Sequence, residues 1–428
     1  MMFRVVVRAK RDADAVTATL IRFFKGWNLE VRTLGGARSK DEVLSRLESI
    51  IDENNYYVVL LGREDEHLEA LEKFFPDNVV FQLVNKSKVR SARLTEIASN
   101  IERGRAKIRN VVGWSSEAYH FTKHAGEIIF RLENPAIDVF LGFEGFARIL
   151  EDILGRIGKC PLIVRDFGGL HHVYSGKLKV AELKIPIKGE KVSAIRLIDD
   201  FMDVDLGRII SINEDVIKLH EHISISFLKR YEGVGDVVVP WSGGKDSTCA
   251  LLLALKVFKD VTAIFVDTGL EFPETIGYIE DVSKKLNVKV EVVYAGIDEE
   301  VKVRGLPAVN DRWCTQLKIE ALYRAVRKLT DNPLVIVGDR DAESKLRSLR
   351  PPARRHEFVF QLAPMKMWPT WMSQLYLIYN GIPLNPLYVD GFYRIGCYIC
   401  PSLRSWERIV MLRTGRDALF KRLEPCSP

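Results

Sequence analysis

Apolar and polar positions alternate in short blocks from the first residues onward. The runs Phe3 to Ala9, Leu29 to Leu34, Tyr56 to Leu61 and Val79 to Val84 have the continuity of buried strands, and helical periods lie between them, ending near Phe24 and covering Asp41 to Ile51 and His67 to Phe75. This alternation predicts a small α/β unit over residues 1–109. No Gly-rich loop stands at its strand ends, so it reads as an accessory or docking domain. Residues 110–212 are less regular. They carry β-like runs at Glu127 to Leu132, Asp138 to Leu141, Leu162 to Asp166 and Val180 to Ile185, with one helix-like stretch at Phe146 to Ile157, an α+β region of unknown role. A helical segment, Asn213 to Arg230, and a joint at Gly233 to Gly235 open a third unit, residues 213–428, whose pattern is regular α/β. No period of ~20–50 residues is present, which excludes a solenoid.

Composition narrows the class. With 428 residues, 47% hydrophobic and 28% charged, the chain can bury a core in roughly two or three domains. The net charge of +6 admits anionic ligands without demanding nucleic acid. No stretch reaches the ~18 apolar residues of a membrane span, and the N-terminus has no small-residue cleavage pattern, so a cytoplasmic protein with no membrane partner is expected. Six cysteines are too sparse for a disulfide framework and predict a reducing compartment. Cys160 and Cys249 read as packing residues. His171 and His172, with His120 and His124 elsewhere in the region, read as surface or hydrogen-bonded histidines rather than metal ligands.

The chemistry concentrates after Gly235. Val237 to Val239 predict a buried strand, followed by Pro240-Trp241-Ser242-Gly243-Gly244-Lys245-Asp246-Ser247 and an apolar helix, Thr248 to Phe258. Two glycines let the backbone approach an anion, two hydroxyls flank them, and the free N–H groups of the helix start carry the positive end of its dipole. Lys245 is followed by Asp246 rather than a hydroxyl residue, so the Walker A pattern of kinases and GTPases is not met. The next strand, Thr262 to Val266, ends in Asp267-Thr268-Gly269-Leu270-Glu271, at the sheet edge where open α/β folds bind ligands.

Ser-Gly-Gly-Lys-Asp-Ser resembles the PP-loop of the adenine nucleotide α-hydrolase-like superfamily. With Val266 to Thr275, Arg312 to Lys318, Gly338 to Ser344, Pro386 to Tyr388 and Gly391 to Pro401, it is similar, block by block and in order, to the phosphoadenylyl-sulfate (PAPS) reductase family over about residues 235–406. The resemblance implies an α/β fold: a C-terminal parallel-sheet PP-loop domain preceded by the small α/β domain and the α+β region. It further implies that Ser242, Gly243, Gly244, Lys245, Asp246 and Ser247 hold the phosphate or sulfate end of an adenine nucleotide, with Asp267 and Gly269 along it. Arg340, Arg347 and Lys318 would supply positive charge, and Lys245 and Arg340 would neutralise charge during reaction. The run Arg350 to Arg355 reads either as part of this basic cluster or as a solvated face.

Taken alone, Cys397-x-x-Cys400 is a redox pair, half a zinc site or an unpaired coincidence. Cluster-bearing members of the family carry an upstream Cys-Cys pair and a later C-x-x-C. Here the upstream position holds Cys314 alone, between Trp313 and Thr315. The resemblance thus implies a [4Fe–4S] cluster on Cys314, Cys397 and Cys400, with zinc or free thiols as alternatives. The family's nucleophile is a cysteine in the C-terminal tail. Cys426 is the counterpart, although the Glu-Cys-Gly run ending in Leu-His is absent. The implied reaction reduces APS or PAPS to sulfite, with attack by Cys426 and turnover by a thiol reductant such as thioredoxin. The rival is ATP-dependent, cluster-assisted thiolation of tRNA, since some thiouridine synthases of the superfamily have a similar three-cysteine arrangement. A nucleotide-binding regulatory module is the third reading.

Overall fold

The computed structural model describes residues 2–186 and 191–423, with side chains to residue 420. Four parallel strands open it, in the order Glu30–Thr33, Phe3–Val7, Tyr56–Leu61, Val79–Leu83. Tyr56–Leu61 is buried at every position, which is why it lies inside this sheet and reads as an unbroken apolar run. Helices Lys10–Phe23 and Lys40–Ile50 connect the strands, the second started by a Ser39–Glu42 capping box. Two features depart from the sequence pattern. The segment Arg63–Phe74 forms 3-10 turns rather than an α-helix, and a long helix, Leu94–Arg109, follows the sheet.

The middle of the chain forms two antiparallel sheets. Val111–Ser115 is flanked by Ala118–His120 and Glu127–Arg131. A five-stranded sheet runs Ser193–Arg196, Leu178–Lys184, Leu170–Ser175, Leu162–Arg165, Asp138–Leu141, and helix Glu144–Leu154 follows its last strand. His171 lies fully buried on the central strand, with Nδ1 2.9 Å from the Gly169 carbonyl. Burial drives its pKa down to about 3, so it is a neutral hydrogen-bonded core residue.

The C-terminal sheet has six strands in the order Lys289–Tyr294, Val261–Asp267, Asp236–Pro240, Pro333–Ile336, Val359–Leu362, Ala353–His356. All pairings are parallel except the last. The mixed α/β architecture with a parallel C-terminal sheet is the one expected. Asp236–Pro240 is central, and helix Lys245–Val257 starts three residues earlier than the apolar pattern alone indicates. Cys249 is buried on this helix, with Sγ 3.3 Å from the Ser373 carbonyl, as a packing residue should be. Among the described residues no helix is long and apolar enough to cross a membrane.

The parts are not strung on linkers. One continuous apolar cluster runs from Phe3 through Tyr119 and Leu162 to Val239 and Trp371. Phe121 stacks on Trp371 with centroids 3.9 Å apart and planes at 7°. A buried charge cluster ties the first sheet's helix Leu94–Arg109 to the C-terminal unit. Asp341 is paired with Arg105, with Lys366 at 2.6 Å and with Arg109 at 3.5 Å, and all four side chains are 1% exposed. Arg105 also lies over Trp27, 4.3 Å from its centroid.

Candidate functional site

The loop after Asp236–Pro240 is shaped by its own bonds. Gly243 has φ +70°, and a Cβ there would meet Thr275 Cγ2 at 3.0 Å, so the left-handed turn and the tight fit both favour glycine. The Ser247 hydroxyl accepts from the Ser242 N–H at 3.2 Å and donates to the Gly244 carbonyl at 3.0 Å. The Lys245 N–H donates to the Tyr388 hydroxyl at 3.2 Å. Asn385 closes the far side, donating to the Gly243 carbonyl at 3.2 Å.

Behind the loop runs a line of alternating buried charge. Lys245 Nζ lies 3.1 Å from Asp246, whose other oxygen is 2.8 Å from Arg340 Nε and accepts from Ser373 at 2.7 Å. Arg340 in turn reaches Asp138 at 3.3 Å and donates to Thr370 Oγ1 at 2.9 Å. Burial opposes ionisation of Asp246, but Arg340 and Lys245 outweigh it and hold its carboxyl well below the usual carboxylate range. Arg340, only 2% exposed, is thus paired to two carboxylates and positions Asp246. Asp138 comes from the five-stranded sheet, far outside the loop's own domain in sequence.

The loop opens on a cavity of about 610 Å³ that Ser242, Gly244, Lys245, Asp246, Ser247, Arg340 and Arg347 help line. Arg165, Arg312, Arg350 and Arg394 add further positive charge, against Asp138, Asp339 and Glu343. Arg347, Arg350 and Arg354 converge on Asp339 at 3.6, 3.4 and 2.8 Å, so part of the Arg350 to Arg355 run belongs to the cavity's surround, while Arg355 is a solvated surface residue. Asp267, Gly269 and Lys318 do not line the cavity. The Asp267 carboxylate accepts from the Gly269 N–H at 2.8 Å, and Lys318 is tied to Glu271 at 3.2 Å. A larger and more apolar cavity, about 820 Å³, lies elsewhere, between helix Glu144–Leu154 and residues Leu384 and Val389.

Sequence reasoning missed Asp138, Arg165, Tyr388 and Arg394 as lining residues. A charge heading an otherwise buried strand was the available signal for Asp138. Tyr388 and Arg394 stood within motifs already recognised, but had no role assigned.

Cys314 and Cys397 lie in one buried apolar cluster, with Cys400 packed against it. Cys397 and Cys400 pair with each other: their thiol hydrogen bond, above all, pulls Cys400 down to about 5 against the cost of burial and pushes Cys397 well up. Cys314 is buried in the first turn of helix Trp313–Leu329. Among the described residues no group of three His, Cys, Asp or Glu side chains is drawn tightly enough together to form a metal cage. Cys426 lies outside the described residues.

Beside Tyr393, on helix Ser405–Arg413, Glu407 is fully buried, and burial raises its pKa from 4.5 to about 7. Between these values the folded protein keeps a proton that the unfolded chain releases, so this group's contribution falls as pH rises, by about 3 kcal/mol across the window. Glu407→Gln is expected to match the unmodified protein at pH 5 and exceed its stability at pH 8, as measured by urea unfolding. Equal stabilities at pH 8 would contradict it.

Residues 236–403 match the phosphoadenosine phosphosulfate reductase domain. The chain is 34% identical over 240 residues to an uncharacterized protein of Methanocaldococcus jannaschii, covering 54% of this chain and 50% of that one. It is 28% identical over 181 residues to the phosphoadenosine 5′-phosphosulfate reductase of Yersinia pseudotuberculosis, covering 40% and 72%. It thus spans about half the length of the first of these relatives. The crystal structure of PAPS reductase from Candida auris, a phosphate complex, superposes with a TM-score of 0.34 at 19% identity, over 46% of this chain and 98% of that one. From the Ser242–Ser247 loop, the order of the motifs and the match itself, residues 236–403 belong to the phosphoadenosine phosphosulfate reductase family of PP-loop proteins.

Proposed function

We propose that this protein grips the phosphate or sulfate end of an adenine nucleotide in the Ser242–Ser247 loop and reduces a sulfonucleotide, APS or PAPS, to sulfite. The observation that carries this reading is the loop itself: a glycine turn and helix start with Lys245 alongside, opening on a basic cavity of about 610 Å³. In the proposed reaction a thiolate attacks the sulfur and the nucleotide leaves with its phosphate. A second thiol, from a reductant such as thioredoxin, then releases sulfite and closes a disulfide. Cys426 is the proposed first thiol. Cys314, Cys397 and Cys400, which share one buried cluster, are the residues that would hold a [4Fe–4S] cluster, and no step here runs through one.

The test is incubation of anaerobically handled protein with APS, PAPS, or ATP plus tRNA. Sulfite release from APS or PAPS with a thiol and no ATP is expected. Lys245→Ala is expected to lower the rate by about 100-fold or more, the scale of losing one preorganised charge in such a site. Release of AMP or pyrophosphate that depends on tRNA would replace this reading with tRNA thiolation. Unchanged sulfite production by Cys426→Ser would remove Cys426 from the mechanism.

A further inference from the structure

The five-stranded antiparallel sheet has two very different edges. At one, Asp138–Leu141 is capped by Gln374, whose side chain accepts from the Leu141 N–H at 2.9 Å and donates to the Leu141 carbonyl at 3.0 Å. At the other, Ser193–Arg196 pairs only with Leu178–Lys184. The Leu197 N–H donates to the Val180 carbonyl at 2.8 Å, which sets the alternation of the ladder: odd-numbered residues bond inward, and Ala194 and Arg196 turn their N–H and C=O groups outward. Among the described residues no hydrogen-bond partner meets these groups. An open edge of this kind is a template for another strand.

Its side chains are sorted by face and by end. Val192 and Ala194 pack on the buried cluster beneath, while Ile195, Leu197 and Ile198 are 64%, 48% and 41% exposed. The start of the strand is basic: exposed Lys191 lines a cavity of about 420 Å³ together with Arg408 and the apolar Ile153, Val192 and Ile409. The far end is acidic, with Asp199 fully exposed and Asp200 exposed beside it. A strand that pairs with its own copy must be complementary to its own reverse. The run Lys191-Val192-Ser193-Ala194-Ile195-Arg196-Leu197-Ile198-Asp199 meets that demand, with a cation first, apolar residues about the centre and a carboxylate last.

We propose that this edge is an interface with a second copy of the chain, Ser193–Arg196 pairing antiparallel with itself across a two-fold axis so that one sheet runs through both copies. Several registers let the outward-bonding residues meet, but only the one with Ile195 facing Ile195 of the second copy places Lys191 opposite Asp199 of that copy. In this register Ala194 pairs with Arg196 in both directions and their free backbone groups are satisfied. The exposed isoleucines at the axis cover each other. Ile198 of the second copy comes opposite Val192, beside the cavity that Ile153 and Ile409 line. Backbone pairing, apolar cover and opposite charge thus coincide in one arrangement.

Sedimentation velocity of the full chain at micromolar concentrations is expected to show a dimer. Ile195→Lys, at an exposed position, sets two like charges face to face and is expected to raise the dissociation constant by about tenfold or more. Lys191→Glu and Asp199→Lys are each expected to weaken the dimer. The double variant Lys191→Glu/Asp199→Lys is expected to return to within about threefold of the unmodified protein, a recovery that neither misfolding nor a different interface would give. A monomeric unmodified protein, whose edge would then be left for a strand of another protein, overturns the proposal. So does a dimer indifferent to Ile195→Lys, or a double variant that recovers nothing.

Discussion

Asp341→Ala is expected to cost about 3–5 kcal/mol of folding stability, the range for removing one partner of a buried ion pair. Three cations, Arg105, Lys366 and Arg109, converge on this one carboxylate, and none can reach water by a rotamer change at 1% exposure. Burial opposes the ionised form of Asp341, yet these neighbours hold its carboxyl below the usual range. Without it they face one another. Arg109 is the least well served: burial, and then repulsion from Arg105, push its pKa down against the pull of Asp341. Adding Arg109→Met to Asp341→Ala is therefore expected to recover part of the loss. Urea midpoints of the single and double variants measure both effects, and a loss under about 1 kcal/mol for Asp341→Ala would show that the cluster does not hold the N-terminal helix to the C-terminal unit.

Asp246→Ala is expected to weaken nucleotide binding by about 100-fold or more, since truncating one member of a buried, hydrogen-bonded charge pair costs a few kcal/mol. Its carboxylate is the link between Arg340 at 2.8 Å and Lys245 at 3.1 Å. Removing it frees Lys245 from the position in which it faces the cavity and leaves two positive charges buried side by side. Asp246→Asn keeps an acceptor for Ser373 and is expected to fall between the two proteins. Titration with AMP decides. An affinity unchanged in Asp246→Ala would mean that Tyr388, whose ring centroid lies 5.3 Å from Lys245 Nζ, is enough to place the lysine.

Continuity of apolar residues made the central strands legible. Tyr56–Leu61, inside its sheet, and Asp138–Leu141, an edge strand headed by a charge, are found where the pattern predicts them, because both are buried along their whole length and carry unbroken apolar runs. The phosphate loop was legible for a different reason: glycines and a helix start in fixed order have few other uses. Helix Leu94–Arg109 was not. Arg105, Lys107 and Arg109 lie on buried positions of its last two turns, and the partners that make this tolerable, Asp341 and Glu133, are remote in sequence. The apolar face that Ile97, Ile101 and Ile108 mark is interrupted by these three charges, so the sequence alone gives it no clear end. The same limit hid Arg165, whose place beside Ala342 depends on how the antiparallel sheet docks. For the cysteines, spacing paired Cys397 with Cys400 correctly. It could not say how Cys314 packs against them, since that is set by where helix Trp313–Leu329 begins and by the buried cluster the three share.

The line Lys245–Asp246–Arg340–Asp138 bears on how this protein can be cut and recombined. Its last member is contributed from outside residues 236–403, so a fragment trimmed to the family's borders would leave Arg340 without one carboxylate and Asp341 without Arg105 and Arg109. Transplanting the domain into another host would require re-supplying those charges from the new neighbour. The unit of inheritance for this candidate site is therefore larger than the segment by which it is recognised.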